Sequence, residues 1–406
     1  MTSAATAKIP IRNDFWRLAS LLLLLVLFSG GSLTGVLGQS PSDTRYTASL
    51  KFQEIEPGIE YGQTTSGLAS SDERTGPWLI NVLRIDLARA RLKVVHAMDE
   101  GVGLETVSSL AARYGAAAAT NGGYFRTTGT FRGENVGLFV LDRQLISEPH
   151  KDRAEFGLID VGDKTEVIFG HLKFSGEISV ESLKRSVQGL NRPLSPDEII
   201  IFTPQFHRTT LTNADGIEVV VQRNRVVAVN DRKGSSIIPA DGFVISAVGK
   251  SRDWLKAKVR KGSQVKFAWR LNSIEPGEDK KWEGAHTILG GGPQLIKDGK
   301  IAITNTQEQI TPAFVNDGHP RTAIAKLSSH QILLVTIDGR QRGEGIGMAL
   351  TTLADLLLEL GAVEAINLDG GGSTTMVIQN RIVNRPSDET GERPVSDAIL
   401  VFPKSN

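Results

Sequence analysis

The chain has 406 residues, 40% apolar and 22% charged, with a formal net charge of +1, the profile of a soluble globular protein of one large or two moderate domains. Acidic and basic residues are interspersed, which argues against a nucleic-acid surface. Cysteine is absent, excluding disulfides, thiolate metal sites and a cysteine nucleophile.

Lys8, Arg12 and Arg17 precede an apolar run over residues 18–28, and small residues lead to Val36-Leu37-Gly38-Gln39. This order of charged, apolar and cleavage regions predicts a signal peptide over residues 1–38 and an exported protein, in the periplasm or cell envelope of a bacterium or secreted from it. The apolar core is shorter than the ~20 residues that span a bilayer. An uncleaved anchor is the alternative, and would be the protein's contact with a membrane.

Residues 39–172 read as the first part of the main domain. Strands are predicted over 79–86 and 92–96, with a loop over 66–77. His96 alternates with apolar neighbours and reads as a hydrogen-bonded strand histidine. A short helix over 106–114 puts Val107, Leu110 and Ala111 on one face. Small residues at 116–120 predict a tightly packed buried strand opening into the turn Asn121-Gly122-Gly123-Tyr124-Phe125. Glu134 stands between Gly133 and Gly137 just before a strand over 138–141, where its side chain would project into a cleft or lie in a surface turn.

Four segments, 140–146, 221–227, 295–301 and 377–383, share one form: a β run, a polar turn and a return strand. Each reads as a hairpin. Residues 173–281 read as a β-rich insertion, with a short helix within 178–189, a proline loop over 191–198 and strands at 199–202, 218–221, 226–229, 242–248 and 264–269. No cluster of candidate catalytic residues falls there.

Residues 282–406 carry most of the candidate chemistry. Gly290-Gly291-Gly292-Pro293 is a glycine turn, and His319-Pro320-Arg321-Thr322-Ala323 leads into a strand. The apolar run 333–337 ends at Asp338-Gly339. Ile346, Leu350, Leu353, Leu357 and Leu360 follow helical spacing, with Gly361 as a stop. The chain then reaches Asn367-Leu368-Asp369-Gly370-Gly371-Gly372-Ser373-Thr374. A carboxylate beside three glycines and two hydroxyls suits an anionic, hydroxyl-rich ligand such as a sugar phosphate. Two strands that end in Asp-Gly can place both carboxylates at one sheet edge. The expected architecture is α+β: a mixed, β-rich sheet core with few helices, several hairpins and the β-rich insertion in the middle.

Taken in order, Asn121 to Phe125, Gly290 to Pro293, Arg321 to Ala323, Asp338-Gly339, Ala365 to Ser373 and Arg393 to Ser396 resemble the phosphodiester glycosidase family, that of N-acetylglucosamine-1-phosphodiester α-N-acetylglucosaminidase. The resemblance implies cleavage of the bond between a sugar C1 and a substituted phosphate. Glycosyl transfer usually uses two carboxyl groups, so Asp369, Asp338 and Glu134 are the candidate catalytic carboxylates. Arg321 would act as a fork on the phosphate, helped by N–H groups of Gly370, Gly371, Gly372 and Ser373. Asn121, Gly122, Gly123, Gly291, Gly292, His319, Ser373 and Thr374 complete the expected substrate-binding set. A turn-capping role for Asp338, a bracing role for Asn121 and a plain loop role for His319 stand as alternatives. No cofactor is expected; calcium on loop carboxylates is compatible with the sequence, but nothing requires it. The competing class is a non-catalytic envelope protein that binds glycan or sugar phosphate.

Overall fold

The four hairpins form where the sequence places them, and each turns on two successive left-handed residues: Asp142 and Arg143, Arg223 and Asn224, Asp298 and Gly299, Gln379 and Asn380. Two left-handed residues make a tight turn whose twist matches that of the flanking strands. The computed structural model describes residues 45–67, 76–162, 164–328, 330–341 and 345–404. The predicted signal peptide, residues 1–38, and most of the predicted loop 66–77 lie outside them.

The fold is β-rich, with four α-helices among the described residues. The largest sheet has eight antiparallel strands in the order Phe52–Glu56, Ile59–Ser66, Trp78–Asp86, Gln331–Ile337, Arg321–Lys326, Glu364–Asn367, Gln294–Lys297 and Lys300–Ile301. Its central strands are apolar on both sides because both of their faces are buried. Leu83, Ile85, Ile324, Leu334 and Ile366 face one core, while Ile80, Val82, Ala323, Val335 and Ala365 face another, in the two-residue period of a strand. A five-stranded sheet built on Ala118–Asn121, Met376–Ile378 and Asp397–Pro403 shares the first core.

The helix Val107–Tyr114 forms as predicted, capped by Thr106, whose side chain accepts from the Ser109 N–H. The second predicted helix is shorter than its apolar spacing: it runs Leu350–Glu359. Gly347 lies at φ +93° and Met348 pairs with His319 in a β-bridge, so the turn containing Ile346 is held extended. Leu350, Leu353, Leu356 and Leu357 are buried against the large sheet, each contributing about 2 kcal/mol relative to exposure. Gly361, at φ +90°, ends the helix.

No helix forms within 178–189. Lys164–Val180 is one long strand and Leu183–Val187 returns along it. Residues 189–247 contribute a separate five-stranded sheet with its own core, against which the helix Gly249–Lys258 packs through Leu255. That helix has only Ser251 and Leu255 buried, so it leaves little apolar periodicity in the sequence.

A buried ionic cluster braces the Gly292-Pro293 turn. His171 Nδ1 lies 2.7 Å from Glu275 and Nε2 3.2 Å from Glu308. Burial opposes the imidazolium, but the two carboxylates outweigh it and raise the His171 pKa to about 9. A histidine pKa raised on folding stabilises fully below pH ~6.5, and that stability is lost as pH rises toward 9. Replacing His171 with Gln is therefore expected to cost roughly 3 kcal/mol at pH 6 and progressively less toward pH 9. Urea denaturation of both proteins across that range measures it.

Candidate active site

The strand Arg321–Lys326 lies between Gln331–Ile337 and Glu364–Asn367, with Arg321 opposite Ile337 and Ala323 opposite Asn367. This register brings Arg321, Asp338 and Asp369 to one end of the large sheet. A cavity of about 230 Å³ opens there, lined by Phe314, His319, Pro320, Arg321, Arg340, Asn367, Asp369, Gly370, Gly371, Gly372 and Arg393. The structure thus brings together six of the sequence-derived candidates: Asp369, Arg321, His319 and the three glycines. Phe314, Pro320, Arg340, Asn367 and Arg393 complete the lining; Asn367 and Arg393 stand in the motifs quoted above without an assigned role, and Phe314 and Arg340 lie outside them.

Asp369 follows its strand directly. Its backbone N–H donates to Gly122 O, and its carbonyl accepts from Asn121 Nδ2 at 2.7 Å. The Gly370 N–H donates to Asp369 Oδ1 at 3.0 Å. Burial raises the Asp369 pKa to about 6, opposed by Ser373 and the Gly370 N–H.

Arg321 is 1% exposed. Its Nε donates to Met348 O, and Nη2 to Phe314 O and Asp317 O, all at 2.8 Å. Among the described residues it forms no salt bridge, and burial lowers its pKa to about 10. A buried guanidinium held by carbonyl dipoles and not neutralised by a carboxylate is a site prepared for an anion. Arg393 is different, because Asp388 binds it through both carboxylate oxygens at 2.7 and 2.9 Å. Burial, then Arg321 and Arg340, lowers the His319 pKa and favours the neutral ring.

The remaining candidates lie elsewhere. Asp338 is fully buried and outside the cavity lining. One strand separates it from Asp369, about 10 Å of backbone at the usual strand spacing. Its Oδ2 accepts from the Arg385 N–H at 2.9 Å, and burial raises its pKa to about 6. Glu134 lines a different cavity, paired with Arg126 Nε at 2.9 Å. The expectation grouped Asp369, Asp338 and Glu134 around one ligand; among the described residues Asp369 is the carboxylate that lines this cavity.

The glycine-turn N–H groups also differ from expectation. Those of Gly370, Gly371 and Ser373 donate to Asp369 Oδ1, Pro320 O and Gly370 O, so three of the four expected donors are engaged within the protein. Asn121 is occupied as a brace: Oδ1 accepts from the Thr322 hydroxyl at 2.9 Å and from the Thr375 N–H at 3.2 Å. Ser373 and Thr374 are buried behind the turn. Gly122, Gly123, Gly291 and Gly292 do not line the cavity; each is glycine for packing. A Cβ on Gly122 would fall 2.0 Å from Asp397 Oδ1, and one on Gly291 2.5 Å from Asn367 O.

Asp397 cannot yield easily, because Gly123 N–H, Asn135 Nδ2 and the Ser396 hydroxyl all donate to it. Gly122→Ala is therefore expected to destabilise by about 2 kcal/mol, read as a lower urea midpoint at unchanged slope.

No group of three or more His, Cys, Asp or Glu side chains that could hold a metal occurs among the described residues. No helix among them is long and apolar enough to cross a membrane.

Residues 215–402 match the phosphodiester glycosidase family. That segment holds every residue lining the Asp369 cavity. Human N-acetylglucosamine-1-phosphodiester α-N-acetylglucosaminidase is 38% identical over 129 residues, 28% of this chain and 25% of that protein. A prophage-derived, uncharacterized protein of Bacillus subtilis (strain 168), YomE, is 33% identical over 119 residues, 29% of this chain and 18% of its own. The chain thus matches a quarter or less of these relatives' length. A solved structure from Burkholderia pseudomallei, provisionally described as an exported protein, shares the fold with a TM-score of 0.76 at 22% identity, covering 87% of this chain and 96% of that one.

Proposed function

We propose that this protein is an exported phosphodiester glycosidase, hydrolysing the bond between a sugar C1 and a phosphate that carries a second substituent. The observation that carries the reading is the pairing in one cavity of buried, un-neutralised Arg321 with Asp369. Arg321, with Arg340 and Arg393, holds the phosphate, and the absence of side chains at Gly370, Gly371 and Gly372 lets it approach the backbone. The buried side-chain oxygen Oδ1 of Asn367, which has no hydrogen-bond partner among the described residues, receives a sugar hydroxyl.

The C1–O bond breaks with its electrons passing to the phosphate oxygen, and water supplies the new C1 hydroxyl. A phosphate leaving group is weakly basic, so stabilising its charge replaces much of the work of a general acid. Asp369 then serves as nucleophile or as the base that takes a proton from water. Asp338, buried one strand away, is a positioning residue for the segment around Arg385. Export rests on the charge and hydropathy order of residues 1–38.

A binding protein without catalysis is the second reading, favoured by one feature: among the described residues a single carboxylate lines the cavity, where glycoside hydrolysis usually has two. Release of free reducing sugar from a panel of sugar-1-phosphodiesters, UDP-N-acetylglucosamine among them, separates the two. Turnover lost in a folded Asp369→Asn protein supports the hydrolase. Saturable binding without turnover by the wild type overturns it.

A further inference from the structure

Two cavities larger than the Asp369 cavity lie away from it. One, of about 670 Å³, runs between the turn around Gly129 and the loops 193–197 and 211–216. The other, of about 510 Å³, runs from Glu134 to Glu148 and His150. They share Arg126, Pro193, Leu194 and Ser195, and so form one trough, each half of a size that ordinarily holds a small organic ligand.

The chemistry of this trough is unlike that of the Asp369 cavity. Its charges are largely matched from within. Glu134 pairs with Arg126 at 2.9 Å, and Arg192 bridges Glu148 at 2.6 Å and Glu198 at 2.7 Å. Farther along, Asp197 accepts the Lys250 N–H and Asp215 accepts from Asn213 Nδ2. Hydroxyls and amides, with Thr128, Thr130, Ser195 and Asn213 among them, surround an apolar floor that includes Leu194 and Phe131. A polyanion would find little net positive charge there. Hydroxyl-rich, uncharged rings suit matched Arg–carboxylate pairs and apolar patches, since their hydroxyls donate and accept while their ring faces lie on carbon.

We propose that this trough binds an uncharged glycan chain, a site separate from the phosphate cavity and independent of any hydrolysis there. Glu134 is its most enclosed charged residue: it is 3% exposed yet lines the trough. Burial raises the pKa of Glu134 to about 7, so near neutrality its carboxyl donates as well as accepts hydrogen bonds to sugar hydroxyls. The trough is also tied to the other cavity. Asn135, at its edge, donates to Asp397 at 2.6 Å, Asp397 accepts the Gly123 N–H, and Gly122 O accepts the Asp369 N–H.

The test is calorimetric titration of the full chain with chitohexaose, maltohexaose and cellohexaose, with polyglutamate and denatured casein as anionic and peptide probes. At least one hexasaccharide is expected to bind saturably. Ser195→Trp and Thr130→Trp, exposed positions on opposite walls, should each weaken that binding by about tenfold or more, with circular dichroism unchanged. Asp369→Asn should leave it intact, which separates this site from the hydrolase reading. Three outcomes would overturn the proposal: no binding of any hexasaccharide, wild-type affinity in both tryptophan variants, or tryptophan variants that weaken only polyglutamate or casein.

Discussion

Asp369→Asn is expected to lower kcat/KM on a cleaved sugar-1-phosphodiester by about a thousandfold or more, the scale on which removing a reacting group acts, while the fold persists. The substitution keeps the size of the side chain. The backbone contacts that place residue 369, from Asn121 and Gly122, do not involve its carboxylate. The pH dependence supplies a second readout. Nucleophile and base both need the ionised form, and the Asp369 pKa is raised to about 6. Wild-type kcat/KM should therefore fall as pH drops below about 6 and level off above it. Stability should run the opposite way. A carboxyl whose pKa is raised on folding favours the folded state fully below its unfolded pKa, and that contribution is lost as pH rises through 6. At pH 7.5 the Asn variant should then be more stable than wild type by on the order of 2 kcal/mol, an advantage that vanishes near pH 4. Thermal melts at the two pH values measure it. A variant that is inactive, folded and more stable at pH 7.5 would carry the signature of a functional group held at a cost to the fold.

Arg321→Lys should produce the second large effect. Lysine keeps the charge but loses the planar fork and the geometry that satisfies three carbonyls at once. With Met348 O, Phe314 O and Asp317 O under-satisfied, a loss of about 2–4 kcal/mol in stability is expected. A merely structural arginine would give that much. The functional readout is the response to anion: inorganic phosphate should raise the melting temperature of the wild type, following the logarithmic dependence on ligand concentration. In the lysine variant that rise should shrink or disappear. Stabilisation by phosphate that is equal in both proteins would remove Arg321 from the anion site.

Much of the architecture was legible because its signals are local. A hairpin needs two residues able to turn between two β runs, and four such segments carried that chemistry in plain view. The helix Val107–Tyr114 announced itself through the apolar face of Val107, Leu110 and Ala111, and Leu350–Glu359 through spaced leucines and Gly361. The overlong reading of the second helix came from Ile346, whose apolar spacing fits a helix but whose backbone is committed to the loop beside His319. The helix Gly249–Lys258 was missed for the opposite reason, since it buries too little to leave a pattern.

By itself the sequence determined the β-rich character, the hairpins and the segment from Asn367 to Gly372, because strand period, turn residues and glycine runs act over a few neighbours. Only the tertiary structure decided which charges share a cavity. Arg321 sits one strand from each aspartate, and strand order and register alone put Asp369 at the cavity, buried Asp338 behind it and carried Glu134 to another. Arg340 and Arg393 join the cavity from loops far apart in the chain, and sequence spacing carries no trace of such an encounter. The donors of the glycine turn were likewise decided late, because whether an N–H faces a ligand or a neighbouring carbonyl depends on how the turn packs against Pro320.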